Sequence, residues 1–405
     1  MKINIENEQL SFQALRMLSE VSSGQADVNE VLDTVKNIKG DYESWYDEWT
    51  KTANRVRQIA DDFLACGYPV SASETYLRAS NYYRAAGFYH GVLTVEGCDA
   101  QTKRKLEQLD TLALECFSKV IQYGGTSIEP VKIPYENTTL PGHFYKASPQ
   151  DYKAAPTLIM ITGYDGTKEE LYGNAVAALK RGMNCLAFEG PGQGEMIRKR
   201  GIPFRPDWEK VVTPVIDYLI ETLKVCPENI VLWGESMGGY LAPRAAAFDH
   251  RVAACVANSG VYDFMGSHIP GGMTRDTCFR AIAEASEAQV DAVMRKIMSE
   301  HPQVDWALKH GMYVFRAESL KNFFLMAKEY YLDGIAQQIE CPTLVIDSED
   351  ENNFPGQAKL LYEALRCPKD YLPFTKEQGA AAHCQQGAKI YANGCTFNWI
   401  KDHLS

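Results

Sequence analysis

No apolar run in these 405 residues approaches the ~20 needed to cross a bilayer as a helix. The longest, such as Pro156–Thr162 and Ile230–Trp233, are strand-length. Positive charge is also in short supply: Lys+Arg 41 stand against Asp+Glu 52, a net charge of −11, with no basic stripe. A nucleic-acid partner is therefore not expected. The segment MKINIENEQLSF lacks an apolar core, which reads as no secretory signal. Closely spaced cysteines are missing too: the nearest two of the eleven, Cys384 and Cys395, lie eleven positions apart. That spacing excludes zinc-ribbon and thioredoxin-like sites, and no metal is expected. Scattered thiols suit a reducing compartment, so the expectation is a soluble, cytoplasmic protein. What is present is ordinary globular composition, 45 % apolar and 23 % charged, with chain for roughly two to three domains.

Up to about residue 125 the apolar period is helical. Tyr42, Trp45, Trp49, Ala53, Val56, Ala60 and Phe63 recur every three or four positions, and Gly67-Tyr-Pro69 ends that helix. Ser71-Ala-Ser-Glu74 has the form of a capping box for the next helix, and Leu106, Leu109, Ala113, Phe117 and Val120 mark a third. After Gly124-Gly125 the pattern changes. Two antiparallel strands, Val131–Glu136 and Gly142–Lys146, are predicted around a turn at Asn137–Pro141. Strands then alternate with helices: Pro156–Gly163, a helix capped by Thr167-Lys-Glu-Glu170, Asn184–Glu189, a helix starting or kinking at Pro214, Asn229–Gly234, Met237–Phe248 and Val252–Asn258. Alternation pauses in a helical stretch from about 262 to 338. It resumes with strand Pro342–Ser348, helix Gln357–Leu365, strand Asp370–Phe374 and a last helix. Such alternation predicts a mostly parallel sheet in right-handed βαβ units. The expected layout is a helical domain over 1–125 and an α/β domain over 126–405, with a helical insertion at about 262–338 before its last two strands.

The strongest chemical signal is Gly234-Glu-Ser-Met-Gly238, placed after a strand and before a helix. A serine on that tight turn lifts its hydroxyl above the sheet at a helix N-terminus. The bland alternative is a structural turn. Ser236 needs a base. Of the eight histidines, His383 alone follows the last strand across a short loop and precedes the last helix, which fits a chain order of Ser, acid, His. His268 stands beside the loop leaving a strand C-terminus, a place from which it could line the pocket, and reads first as surface. The acid belongs after strand Pro342–Ser348. There the usual Gly-x-x-Asp-x-x-x-Pro pattern becomes Ser348-Glu-Asp-Glu-Asn-Asn-Phe-Pro355, whose register selects Glu351, with Asp350 the alternative one residue away. Backbone N–H groups of Tyr164, in the loop Gly163-Tyr-Asp-Gly-Thr167, and of Met237 are the expected oxyanion donors. Glu189-Gly-Pro-Gly-Gln-Gly194 looks like a phosphate loop but lacks the Gly-Lys-Ser/Thr ending, so no nucleotide or other cofactor is expected.

Taken in order, Trp45…Trp49, SASETYLRASNYYRAAGFY (Ser71–Tyr89), TGYDGTKEELY (Thr162–Tyr172), FEGPGQG (Phe188–Gly194), GESMGG and GAAAHCQQGA (Gly379–Ala388) resemble one group of proteins. These are the α/β-hydrolases with a helical N-terminal domain, which include the heptaketide-shortening hydrolases of fungal pigment pathways and 2,6-dihydroxypseudooxynicotine hydrolase. The likeness covers about residues 40–400. It implies a Ser–acid–His hydrolase whose N-terminal helices roof the site and help form a homodimer, and whose better-known relatives cleave a carbon–carbon bond next to a ketone. By position it implies Ser236 as nucleophile, His383 as base and the Tyr164 and Met237 amides as oxyanion hole. Relatives usually carry Asp where this chain has Glu351.

The expected function is hydrolysis of an ester or ketone-adjacent C–C bond in a small organic or polyketide-like acyl substrate, through an acyl-enzyme. Alternatives with the same residues are an acyl transferase or cyclase and an amide or peptide hydrolase. A non-catalytic binding protein on the same fold is the alternative from another class. Tyr82, Tyr83, Phe88, Phe323 and Phe324 are candidates for an apolar pocket wall, though they read first as packing.

Overall fold

Aromatic residues at helical spacing build the first part of the chain. The computed structural model describes residues 5–404. Here the chain forms α1 (Glu8–Ser19), α2 (Val28–Lys36), α3 (Tyr42–Ala65), α4 (Pro69–Ala86), α5 (His90–Val95) and α6 (Ala100–Tyr123). Trp45 and Trp49, one turn apart on α3, are buried. The Trp45 indole N–H donates to the Ala85 carbonyl at 2.7 Å, and Trp49 packs on Tyr82 with ring centroids 5.4 Å apart. The capping box expected at Ser71 is not made. Pro69 opens α4 two residues earlier, where its fixed φ and missing N–H fit the first helical position.

The period change near residue 125 becomes an eight-stranded sheet. Its strands are β1 (Ile128–Tyr135), β2 (Thr138–Tyr145), β3 (Thr157–Ile161), β4 (Asn184–Phe188), β5 (Ile230–Glu235), β6 (Ala254–Asn258), β7 (Thr343–Ser348) and β8 (Lys369–Phe374), in the order β1-β2-β4-β3-β5-β6-β7-β8. The hairpin β1–β2 turns on two residues, Glu136-Asn137, with Glu136 at φ 44°, a tighter turn than the five residues expected. β2 joins β4 antiparallel, and every later pairing is parallel. β3, β4 and β6 are buried at every residue, as strands covered on both faces must be. The crossovers carry α7 (Tyr172–Leu179), α8 (Gly194–Arg198), α9 (Glu209–Asp217) and α10 (Gly238–Ala246). Pro214 sits inside α9, which passes into a π-turn at Tyr218–Thr222. Between β6 and β7 lie α11 (Arg275–Glu284), α12 (Glu287–Glu300), α13 (Pro302–Phe315) and α14 (Leu320–Ala327). α15 (Gln357–Ala364) and α16 (Lys389–His403) complete the chain order.

By packing, one unit holds the described residues up to Ser127 together with Val293–Tyr313. The other holds Ile128–Ala292 and the chain from Val314 onward. Part of the insertion thus belongs to the helical unit. Trp306 stacks on Phe88 at 5.7 Å, and the Lys309 ammonium lies 2.6 Å from Glu96. In the sheet unit, Leu158, Met160, Trp233, Val256, Leu344, Ile346, Phe397 and Ile400 form a core between the sheet and α16. Among the described residues no helix is long and apolar enough to cross a membrane.

Candidate active site

The parallel strands end together, and the loops leaving their C-terminal ends gather the polar side chains. β5 runs into Ser236, which adopts φ 59° before α10 begins. A left-handed serine is strained by ~1–3 kcal/mol and persists only where its surroundings hold it. Here its N–H donates to the Asn258 carbonyl at 2.5 Å and its carbonyl accepts the Gly239 N–H at 2.8 Å. The turn is tight enough that a Cβ on Gly234 would lie 1.8 Å from the Gly238 oxygen. Glycine is the residue that fits.

His383 lies in a short turn between β8 and α16, and its Nε2 is 2.9 Å from Ser236 Oγ. On the other side of the ring, Nδ1 is 2.6 Å from Glu351 Oε2. The Glu351 carboxylate is buried and fully occupied. Oε2 also accepts the Ser259 hydroxyl at 2.5 Å, and Oε1 accepts the Asn353 and Phe354 N–H groups at 2.9 and 3.1 Å. Burial would raise the Glu351 pKa, but His383 and these donors outweigh it and hold it down at about 2. For His383 burial works toward a lower pKa, and the Cys384 sulfur and Glu351 carboxylate raise it well above the ordinary histidine value.

Asp350 contributes differently. Its side chain is 51 % exposed and pairs with Lys376 Nζ at 2.6 Å, while its backbone N–H donates to Ala381 and ties the acid loop to the histidine loop. Glu351 faces the imidazole, while Asp350 faces Lys376 and water. His268 is exposed in the turn Gly266–His268.

The loop after β3 touches the serine turn directly. A Cβ on Gly163 would stand 2.7 Å from Ser236 Cβ and 3.0 Å from Met237 N. Tyr164 follows, and Met237 is the N-cap residue of α10, at the positive end of the helix dipole. Thr167 does not cap α7, which begins at Tyr172; its hydroxyl is buried with no hydrogen-bond partner among the described residues.

Several neighbours carry no local motif. Ser259 follows β6, and its position at a strand's C-terminal end is the signal that finds it. Gln385 accepts from Asn258 Nδ2 at 2.9 Å and donates to Ser348 Oγ at 3.0 Å, joining the ends of β6 and β7. Cys384 Sγ lies 3.5 Å from His383 Nε2. Within the sheet unit several aromatic rings lie near His383 and Tyr164. Phe354 is 6.0 Å from His383, Phe264 is 5.7 Å from Phe354 and 5.6 Å from Tyr164, and Phe315 meets Phe204 at 5.6 Å and Phe323 at 5.2 Å. Tyr82 and Tyr83 pack within the helical unit, their hydroxyls bonded to Glu30 and Asn54. Among the described residues no three His, Cys, Asp or Glu side chains are grouped to hold a metal ion.

Comparison with known proteins agrees with this architecture. Residues 158–383 match the alpha/beta hydrolase family. Hydrolase acrC of Aspergillus aculeatus is 35 % identical, over 97 % of this chain and 96 % of its own. The 20-hydroxy-prefusarin hydrolase FUS2 of Gibberella moniliformis is 30 % identical, over 96 % and 95 %. The crystal structure of 2,6-dihydroxy-pseudo-oxynicotine hydrolase shares the fold, with a TM-score of 0.71 at 20 % identity over 95 % of each chain. A mostly parallel sheet, a strand–serine–helix turn and full-length likeness to fungal hydrolases together make this chain a member of the alpha/beta hydrolase family.

Proposed function

We propose that the protein is a serine hydrolase that cleaves an ester or a ketone-adjacent C–C bond of a small, aromatic or polyketide-like acyl compound. The observation that carries this is the unbroken line of hydrogen bonds Glu351–His383–Ser236, 2.6 and 2.9 Å long, ending at a serine held in a left-handed turn. In the neutral imidazole Nδ1–H donates to Glu351, which leaves the Nε2 lone pair to receive the Ser236 proton. Oγ then bonds the substrate's carbonyl carbon, and the carbonyl oxygen becomes an oxyanion facing the Tyr164 and Met237 N–H groups. As the tetrahedral adduct collapses, His383 Nε2–H protonates the leaving group: an alkoxide oxygen from an ester, or the carbanion carbon from a β-diketone. Water then attacks the acyl-enzyme, giving its proton to His383, and the acid leaves as Ser236 regains its hydrogen. Glu351 stays ionised throughout and stabilises the imidazolium.

The rings of Phe354, Phe264 and Tyr164 beside the site favour an apolar, planar acyl group. A relative named for acting on 20-hydroxy-prefusarin supports a small-molecule substrate. A homodimer formed through the N-terminal helices belongs to the same proposal and is checked by light scattering. The function is tested by intact mass after treatment with a fluorophosphonate. A single adduct on the native chain and none on Ser236→Ala is expected, followed by turnover of aryl esters or β-diketones. An adduct that persists on Ser236→Ala, or hydrolysis that survives it, overturns the assignment.

A further inference from the structure

The segment Glu189-Gly-Pro-Gly-Gln-Gly194, which looked like a phosphate loop in the sequence, lies against the loop that carries Tyr164. Gln193 is 1 % exposed, and its carboxamide is used at both ends. Nε2 donates to the Thr162 carbonyl at 2.6 Å and to the Gly163 carbonyl at 3.2 Å, while Oε1 accepts the Gly190 N–H at 3.0 Å. The orientation of this amide is not interchangeable: flipping it would set an oxygen against two carbonyls and an NH2 against an N–H.

The Gly163 carbonyl belongs to the same peptide group as the Tyr164 N–H. A trans peptide is planar, so its C=O and N–H point in opposite directions. Holding the Gly163 oxygen therefore aims the Tyr164 N–H the other way. The same peptide is pressed against the serine turn, where a Gly163 Cβ would be 3.0 Å from Met237 N. The far end of the loop is tied to the same segment. Glu189 accepts the Lys168 N–H at 3.1 Å and the Glu195 N–H at 2.9 Å. The buried Lys168 ammonium lies 2.8 Å from Glu169, 2.8 Å from Glu195 and 3.4 Å from Glu189. Gly194 completes the fit, since a Cβ there would stand 2.1 Å from the Glu189 carboxyl group.

We propose that Gln193 is a positioning residue for the oxyanion hole, its carboxamide clamping the Thr162 and Gly163 carbonyls so that the Tyr164 N–H faces the developing oxyanion. This assignment rests on the serine-hydrolase function proposed above, and goes beyond it by naming a residue that touches neither substrate nor Ser236. Removing an oxyanion donor outright costs ~10²–10³ in rate, and loosening one costs a fraction of that.

The test compares the native chain with Gln193→Met and Gln193→Glu, both of which keep the side-chain length; Met makes neither donated bond, and Glu makes at most one of them, through a protonated carboxyl. Hydrolysis of p-nitrophenyl acetate is expected to lose about 10- to 100-fold in kcat with KM within about twofold. Inhibition by trifluoroacetophenone, which forms a tetrahedral oxyanion on the serine, should weaken by the same factor as kcat/KM. A merely structural role does not predict that proportionality. Should Gln193→Met fail to fold, Gln193→Glu, which still accepts the Gly190 N–H, carries the same expectation. Unchanged kcat, or a lower kcat with unchanged ketone affinity, overturns the proposal. Ser236→Ala serves as the parallel control: if it is inactive while the Gln193 variants match native enzyme, the positioning role alone fails. If Ser236→Ala hydrolyses as fast as native enzyme, the serine mechanism fails first and this role with it.

Discussion

Replacing Glu351 by Gln keeps the shape of the site and removes one charge, so its effect can be worked from the geometry. The carboxylate oxygen is 2.6 Å from His383 Nδ1, and both side chains are buried. Opposite charges centred ~4 Å apart attract by about 4 kcal/mol at an effective dielectric near 20, which favours the protonated imidazole. That attraction opposes burial, which taken alone lowers the imidazole pKa, and with the Cys384 sulfur it leaves the group well above 6.5. General base catalysis needs the neutral ring, so activity in the native enzyme should rise with pH through a midpoint above 6.5. In Glu351→Gln burial is less opposed, and the midpoint should move to lower pH. The rate on the plateau should fall ~10³–10⁴, because a neutral amide stabilises neither the imidazolium nor the tautomer with a free Nε2 lone pair. The assay is kcat/KM for p-nitrophenyl butyrate between pH 4 and 9, for native enzyme, Glu351→Gln and Asp350→Asn. Asp350 is paired with Lys376 at the surface, and its variant should stay within about twofold of native. An unmoved acid limb in Glu351→Gln, or a collapse of activity in Asp350→Asn instead, refutes the reasoning.

Two further perturbations have signs that can be worked in advance. Ser259→Ala removes a donor from Glu351 Oε2. The carboxylate becomes more basic and holds the imidazolium more strongly, so the acid limb should shift upward by less than about one pH unit, opposite to Glu351→Gln. His143 is buried and its pKa is pushed down by that burial to about 4, from an ordinary value of 6.5. Since the unfolded chain binds this proton first, stability should be flat above pH 6.5 and fall by up to about 3 kcal/mol as pH drops toward 4. Urea midpoints against pH should show that slope in the native chain and a shallower one in His143→Gln; equal slopes would assign the loss to other groups.

Local chemistry alone made Ser236 and His383 legible. The strand–serine–helix turn depends on five consecutive residues, and the histidine is marked by its place after the last strand. The parallel sheet was equally readable, because its strands are short, apolar and regularly separated by helical periods. Where an outcome depended on contacts between distant segments, pattern was not enough. Ser71 and Thr167 both begin sequences with the spacing of a capping box. One lies inside a helix that Pro69 had already opened, and the other belongs to a loop tied down through Lys168 and Glu189. Glu351 and Asp350 are chemically similar neighbours; the spacing to Pro355 favoured Glu351 without separating it fully from Asp350, and the approach of the histidine loop brings Glu351 to the ring. The insertion reads as one helical stretch, yet residues 293–313 pack with the helical unit, because Trp306 finds Phe88 more than 200 positions away in the chain. Gln193 shows the same division: the sequence displays a glycine-rich loop, while its role as a clamp exists only once β3 and β4 lie side by side and bring the Gly163 carbonyl within reach. Periodicity and turn chemistry act over a few residues and are written locally. Which polar groups face each other across a buried site is set by the packing of the whole sheet.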